Sequence, residues 1–272
     1  MQLAIVVLFA GGCATSLTGQ SLTAGMTAGL AHFNAAQSEQ TLTAVVQVHP
    51  RSWFSVSAVP SLVRVSDSGV AHGGLGDLPL VAAADHTLPG AWSPVIGAAL
   101  ITTLPTGNAS CGLGNGAVGV GLAGGVTVTP ADKWQLSAGA SHSIGGVGAQ
   151  STLSAPHATA LQLEGSLGVT DRWTAGVAFG ADLGSSDSTQ PLSRVVGAGT
   201  SYRVAGDLAL TVDASRGLTS GSPQWVLSVG FGTVFVGASP VNPTSTLRRL
   251  RTGFVGGVKR TRSAAKAGIT SC

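Results

Sequence analysis

Between positions 22 and 235, apolar side chains alternate with small or polar ones in segments of about ten residues. In one such segment, Leu161 and Leu163 fall on one face while Gln162 and Glu164 fall on the other. Successive side chains of a β-strand point to opposite faces of the sheet. The pattern therefore predicts strands that have one apolar and one polar face.

The alternation divides the chain into twelve predicted strands. They are 22–33, 41–49, 53–65, 75–86, 92–104, 115–129, 134–145, 158–170, 173–182, 191–204, 208–216 and 224–235. Pro60, Pro79 and Pro94 fall inside three of them, and we expect bulges or displaced strand ends there because proline cannot donate to the ladder. A β-sandwich would show the same alternation, so the pattern alone leaves the all-β architecture open.

The connections between these strands alternate in length. Long, polar connections are predicted at 34–40, 66–74, 105–114, 146–157, 183–190 and 217–223. Short ones are predicted at 50–52, 130–133, 171–172 and 205–207, with a longer one at 87–91. Outer-membrane barrels carry long loops on one rim and short periplasmic turns on the other. The sequence therefore predicts one antiparallel transmembrane β-barrel of about twelve strands over residues 22–235.

The composition is unlike that of a water-soluble domain. Only 9% of the 272 residues are charged, 40 are glycine and the mean hydropathy is +0.38, whereas soluble domains carry about 25% charged residues. No run after the amino terminus reaches the roughly 18 apolar residues of a membrane-spanning helix. A barrel satisfies both observations, because its lipid face takes only every second residue. We expect the chain to lie in the bacterial outer membrane with lipid as its partner.

The tryptophans support this prediction. Trp53, Trp92, Trp134 and Trp173 each follow a short turn, at spacings of 39, 42 and 39 residues, and Trp225 opens the last strand at the opposite rim. Indole rings prefer the interface between membrane and water, so we interpret these five residues as an aromatic girdle. The alternative is that they are core tryptophans of a soluble sandwich.

The two ends differ from the barrel. Residues 1–14 are predicted to be a signal peptide cut after Ala14, although the segment ending at Cys13 also resembles a weak lipobox in which Cys13 would be acylated. Residues 236–272 form a basic tail, predicted to be disordered, that contains seven of the 14 basic residues and no acid. The rest of the chain has 7 basic and 11 acidic residues. An exported chain is not expected to bind nucleic acid.

The segment from Gly74 to Gly146 resembles a known family. GLGD at 74–77, LPTGN at 104–108 and GLGNG at 112–116, followed by a strand that begins with tryptophan, match in order and spacing the outer-membrane barrels named for the MetA pathway of phenol degradation. The resemblance covers about a third of the chain closely. It implies an outer-membrane barrel that moves small, possibly aromatic or hydrophobic, compounds.

Several polar side chains are predicted to face the barrel interior. They are Asp77, Asp85, Gln162, Glu164, Arg203 and Asp213. Carboxylates in a water-filled lumen favour cations or polar solutes. The simpler interpretation is that these residues only solvate the lumen.

No cofactor, metal or catalytic site is predicted. The three cysteines, Cys13, Cys111 and Cys272, have no metal-ligand spacing and suggest no disulfide framework. His142 lies between two serines, but adjacent strand residues point to opposite faces and cannot pair. The glycine-rich run 119–124 matches a dinucleotide motif without the helix that the motif requires. We therefore predict passage of small solutes through the outer membrane, and the alternative is a non-conducting structural or surface-interaction barrel.

Overall fold

The computed structural model describes residues 21–147, 158–185 and 192–233. The strands are β1 (Ser21–Asn34), β2 (Gln37–Arg51), β3 (Phe54–Ala58), β4 (Ser61–Asp67), β5 (Val70–Leu75), β6 (Leu78–Thr87), β7 (Val95–Leu104), β8 (Val118–Ala131), β9 (Trp134–Val147), β10 (Ala158–Gly168), β11 (Trp173–Ser185), β12 (Arg194–Ala205), β13 (Leu208–Gly217) and β14 (Trp225–Gly232). A 3-10 helix, Ala109–Cys111, lies between β7 and β8. Within the described residues, no helix has the length and apolar character needed to cross a membrane.

The strands form one closed antiparallel sheet. β1 pairs with both β2 and β14, which joins the two ends of the sheet. β2 pairs with β3 and with β4 in the same register, so β3 and β4 are the two halves of a single barrel strand. β5 and β6 likewise form one barrel strand, since β5 pairs with β4 and β6 with β3. The fourteen segments therefore make twelve barrel strands, which confirms the predicted fold.

The two faces of the sheet differ in side-chain size and exposure. Outward positions carry large, exposed apolar side chains, among them Leu42, Leu62, Leu100, Leu122, Leu163, Val177 and Leu227. The intervening inward positions carry mostly small, buried side chains, among them Thr27, Ser57, Ala83, Ala99, Thr127, Ala178, Ser215 and Ser228. This arrangement reverses that of a water-soluble protein and is typical of barrels whose outer face contacts lipid.

Some predicted strand ends and loops were wrong. The connections at 35–36 and 68–69 are two-residue turns rather than long loops, with Ser68 and Gly69 at φ 51° and 86°, which is the backbone of a tight hairpin. β2, β4 and β5 extend into the polar stretches that the sequence analysis assigned to loops. Strand pairing therefore continues past the apolar band of the outer face, where a strand no longer needs alternating side chains.

The prolines mark the irregular positions. Pro60 separates β3 from β4 because it has no N–H, although its carbonyl accepts a hydrogen bond from Ala44 at 2.9 Å. Pro94 lies outside β7, so the predicted strand 92–104 began too early. Pro79 stays within β6, where its carbonyl accepts from the Val59 N–H at 3.0 Å.

A β-bulge separates β5 from β6. Ala58 is paired with Leu80 and Leu62 with Leu75, so four steps along one strand face five along its neighbour. The additional residue falls at Gly76, whose N–H donates to the Ser61 carbonyl at 2.9 Å. A bulge changes the direction in which the next side chain points, and this one turns Asp77 toward the barrel interior.

Candidate functional site

The rim that carries the turns at 35–36 and 68–69 and the connections 105–117 and 218–224 is called here the loop rim, and the opposite one the turn rim. The connection 105–117 is held against the inner wall near the loop rim by Asp77. One Asp77 carboxylate oxygen, Oδ1, accepts the Gly107 N–H at 3.1 Å, and Oδ2 accepts the Asn115 N–H at 2.7 Å. The Thr106 hydroxyl donates to the Gly76 carbonyl at 2.7 Å. The bulge and both ends of the connection therefore form one hydrogen-bonded unit, called here the Asp77 unit.

The two ends of the connection 105–117 cross each other at Gly107 and Gly114. A Cβ on Gly107 would lie 2.3 Å from the Leu113 carbonyl oxygen, and a Cβ on Gly114 would lie 2.2 Å from Asp77 Oδ1 and 2.9 Å from Gly107 Cα. No side chain fits at either position without moving backbone. This geometry explains why glycines occur in both the 104–108 and the 112–116 motifs.

The middle of the connection folds into the barrel. The Asn108 side chain caps the 3-10 helix by accepting the Ser110 N–H at 3.0 Å. Leu113 and Cys111 are then buried against Val63 and Val65, which occupy inward positions of β4. The connection 105–117, called here the inner loop, therefore narrows the interior near the loop rim.

Cys111 is disulfide-bonded. The prediction that the cysteines form no disulfide framework was therefore wrong for this residue, and its partner lies outside the described residues.

The predicted lumen residues occupy different positions. Glu164 and Gln162 lie on the same face of β10 as the buried Ala160. Asp85 lies on the same face of β6 as the buried Ala83. Their part in lining a solute path stays a prediction.

Asp213 and Arg203 lie on the neighbouring strands β13 and β12, at different levels along the barrel axis. Asp213 is 1% exposed on β13 and accepts a hydrogen bond from the Ser228 hydroxyl at 3.2 Å. Arg203 is exposed near the turn rim, opposite Ala209. Asp77 differs from all of these, because its carboxylate binds the inner loop.

The five tryptophans lie near the rims. Trp53, Trp92, Trp134 and Trp173 are at the turn rim, and each ring is about half exposed. Trp225 is at the loop rim, stacked on His32 with ring centroids 5.4 Å apart. The Trp173 indole N–H donates to the Thr200 hydroxyl. These positions suit an interfacial girdle, which itself stays a prediction.

One inward acid was not predicted from the sequence. Glu39 lies on β2 and is 1% exposed, but it fell in a predicted loop. The sequence contained one signal of this inward position. Glu39 lies two residues before Thr41, so the two share the inward face of β2, which continues to Gln37. Among the described residues, no group of three or more His, Cys, Asp or Glu side chains is placed to hold a metal ion.

Comparison with solved structures gives the same fold at low sequence identity. The crystal structure of the COG4313 outer membrane channel from Pseudomonas putida F1 superposes with a TM-score of 0.64 at 15% identity, covering 82% of this chain and 97% of the channel. The NanC porin superposes with a TM-score of 0.52 at 8% identity, covering 77% of this chain and 97% of the porin. No curated protein matches the chain.

The sequence itself identifies the family. Residues 20–235 match the family model described as "Putative MetA-pathway of phenol degradation". This range contains the whole described barrel together with the Asp77 unit and its glycine motifs. The chain belongs to that family.

Proposed function

We propose that this protein is a bacterial outer-membrane barrel through which small solutes, including aromatic or hydrophobic ones, cross the membrane. The observation that carries the proposal is a closed twelve-stranded barrel with large apolar side chains outside and small ones inside. Family membership supports it, as does the similarity of fold to an outer membrane channel and to a porin.

The dimensions of the barrel are consistent with a path for small solutes through its lumen. Twelve strands about 4.8 Å apart and tilted by about 40° close a cylinder of roughly 12 Å backbone radius. Most inward side chains are small, among them Ser57, Ala83 and Thr127, while Phe33, Gln47 and Asp213 also lie on the inner wall. The inner loop provides the narrowing, because Leu113 and Cys111 lie inside the wall near the loop rim.

A catalytic role has less support. His142 donates to or accepts from the Thr159 hydroxyl at 2.9 Å, and His32 is stacked on Trp225. A hydrolytic site would need a nucleophile and an orienting acid within hydrogen-bond reach of the histidine. The contacts of these two histidines suit a structural role.

The test is single-channel conductance of the refolded full chain in a planar bilayer. We expect stable steps whose size depends on salt. A folded, heat-modifiable protein that gives no conductance and no solute flux would contradict the proposal and favour the non-conducting structural barrel.

Replacing Glu164 with glutamine is expected to weaken cation preference. A unit negative charge about 7 Å from an ion path in water lowers the energy of a cation and raises that of an anion by about 0.6 kcal/mol each, so the cation-to-anion permeability ratio should fall by up to roughly sevenfold. The measurement is the reversal potential in a low-salt gradient, where screening is weak. Asp207→Asn, in the exposed turn after β12, is the matched control. An unchanged ratio for Glu164→Gln would show that this side chain does not act on the path.

A further inference from the structure

One side of the inner wall is buried although its side chains are small. Thr211 and Asp213 on β13 are each 1% exposed, and Ser228 on the neighbouring β14 is 2% exposed. The inward neighbours of Asp213 on β12 and β14 are Gly199 and Ser228, which are too small to cover a carboxylate. The inner loop is held against β4, which β2, β1 and β14 separate from β13. An open lumen would leave these side chains in water, so their burial indicates a further occupant beside β13.

The chemistry of this wall indicates what the occupant carries. Asp213 and Glu39 are both buried on inward positions, and buried carboxylates in proteins are paired with cations or with several donors. The Thr27 and Thr211 hydroxyls, on either side of Gly230, have no hydrogen-bond partner in the described part of the chain. A guanidinium group brings a positive charge and five N–H donors, which suits the carboxylates and the hydroxyls alike.

The inner wall is acidic along its height. Its inward carboxylates run from Asp85 near the turn rim, past Glu164 and Asp213, to Glu39 near the loop rim. Arg203 is exposed at the turn rim. Three further arginines occupy outward strand positions, namely Arg64, Arg194 and Arg216. A cationic segment that enters at the turn rim would therefore meet negative charge all the way to the inner loop.

The tail 236–272 has the matching charge and sufficient length. Its seven basic residues are Arg248, Arg249, Arg251, Lys259, Arg260, Arg262 and Lys266, and it contains no acid. β14 ends at Gly232 on the turn rim, so the tail leaves the wall at the mouth of the lumen. Residues 233–272 span up to roughly 130 Å when extended, against a wall roughly 35 Å high. Residues 1–20, which adjoin the same rim, have no charged side chain and offer the carboxylates no partner.

The disulfide of Cys111 is an independent indication. Cys111 belongs to the inner loop and is buried against Val63 and Val65 inside the lumen. The other cysteines of the sequence are Cys13 and Cys272. With the predicted signal peptide removed, Cys272 is the cysteine left to bond with it. Forming this bond transfers two electrons and two protons from the two thiols to a disulfide oxidant of the periplasm.

We propose that the basic tail 236–272 lies inside the lumen, with its arginines and lysines against the acidic wall and Cys272 bonded to Cys111 of the inner loop. The tail then acts as a tethered plug, which reduces the bore and neutralises carboxylates that otherwise attract cations. A segment predicted to be disordered suits this role, because it follows the wall in extended form. The position of the tail is independent of the proposed function, whereas its effect on ion flow rests on it.

Mapping of the disulfide tests the tether. The full chain is recovered from outer membranes without reductant, its free thiols are blocked, and the denatured protein is digested with trypsin for mass spectrometry. We expect peptide 65–133, which contains Cys111, to be linked to peptide 267–272, and the link to disappear in Cys272→Ser. A link to Cys13, or free thiols at Cys111 and Cys272, would overturn the tether.

Protection of the tail from trypsin tests its position in the folded protein. Cys272→Ser, in which charge alone holds the tail, is compared in lipid nanodiscs with a variant that adds Glu39→Gln and Asp213→Asn. We expect trypsin to cut within residues 248–266 at least roughly tenfold faster in the triple variant, because two buried partners of the tail are neutral. Raising the salt from about 0.05 M to about 0.5 M should bring Cys272→Ser toward the triple variant, since salt screens the pairing.

The matched control is Cys272→Ser with Asp207→Asn, which removes a carboxylate from an exposed turn. It should be cut at the same rate as Cys272→Ser. Equal cleavage of Cys272→Ser and the triple variant at low salt would overturn the position of the tail. Heat modifiability of each variant establishes that the barrel is folded.

Reduction of the same molecule tests the plug. Adding a phosphine reductant to wild type in a planar bilayer is expected to give larger and more variable conductance steps, while Cys272→Ser should not respond. An unchanged wild-type conductance would overturn the role as a plug. If wild type conducts but its tail is cut as fast as that of the triple variant, the tail proposal fails and the proposed function stands. If no variant conducts or passes solutes, the proposed function fails, and tryptic protection still decides where the tail lies.

Discussion

Replacing Asp77 with alanine is expected to release the two ends of the inner loop from the barrel wall. Both carboxylate oxygens accept backbone N–H groups of that loop, from Gly107 and Asn115. Hydrogen bonds to a charged acceptor contribute about 1.5–3 kcal/mol each, so losing both should cost roughly 3–6 kcal/mol of local stability. The Thr106 bond to the Gly76 carbonyl and the packing of Leu113 and Cys111 against β4 would remain, so we expect the two ends of the loop to loosen while its middle stays in contact with the wall.

Two measurements detect the release. Proteinase K should cut the variant within residues 105–117 under conditions in which wild type is resistant, and mass spectrometry of the fragments locates the cut. Single-channel recordings should show a larger and noisier conductance, because the loop no longer narrows the lumen in one fixed position. Asp77→Asn keeps one carbonyl oxygen and is expected to give an intermediate result.

The control is Asp207→Asn, which changes a carboxylate in an exposed turn on the opposite rim. It should match wild type in both assays. Wild-type protease resistance in Asp77→Ala would contradict the assignment, since the inner loop would then be held by other contacts.

Replacing Gly114 with alanine is expected to destabilise the protein nearly as much as Asp77→Ala does. The added Cβ would lie 2.2 Å from Asp77 Oδ1 and 2.9 Å from both Gly107 Cα and the Gly107 carbonyl oxygen. Backbone atoms cannot move aside as the end of a flexible side chain can, so the crossing of the two loop ends must open. Overpacking of this kind costs about 1–3 kcal/mol, and loss of the Asp77 bonds adds to it. The midpoint of urea unfolding in detergent should therefore fall.

Gly184→Ala is the matched control, because a Cβ at that position meets nothing within 4 Å. It should leave the midpoint unchanged or raise it slightly, since alanine restricts the unfolded chain more than glycine does. The double variant Asp77→Ala with Gly114→Ala should be less destabilised than the sum of the two single changes, because both remove the same contact. Strict additivity would show that Gly114 acts independently of Asp77.

The period of two in the sequence predicts much of this architecture. A strand that faces lipid on one side must alternate, so the number of barrel strands followed directly from the sequence. Past the apolar band the outward residues, such as Gln40, are polar as well, so the alternation ends although the inward Glu39 is buried. The segments around Glu39 and Ser68 were mistaken for loops for that reason.

The contacts of the inner loop could not be predicted from the alternation, for a different reason. Alternation predicted that Asp77 faces the interior, but its hydrogen-bond partners lie 30 and 38 positions away, and the pattern carries no information about contacts at that separation. The glycine motifs marked the region through family resemblance. Only the three-dimensional crossing of Gly107 with Gly114 explains why those positions exclude side chains.

The register of the closed sheet also bears on the order in which the barrel assembles. Within the part of the chain that the structure describes, every pairing joins strands close in sequence except that between β1 and β14, where Gly25 lies opposite Gly232. Pairings between distant segments carry the largest entropic cost of loop closure and form late in folding. The Asp77 unit, by contrast, lies entirely within residues 61–131 and needs no contact across the seam. The inner loop is therefore expected to be in place while the sheet is still open, so that the final pairing of β14 with β1 closes a barrel whose constriction already exists.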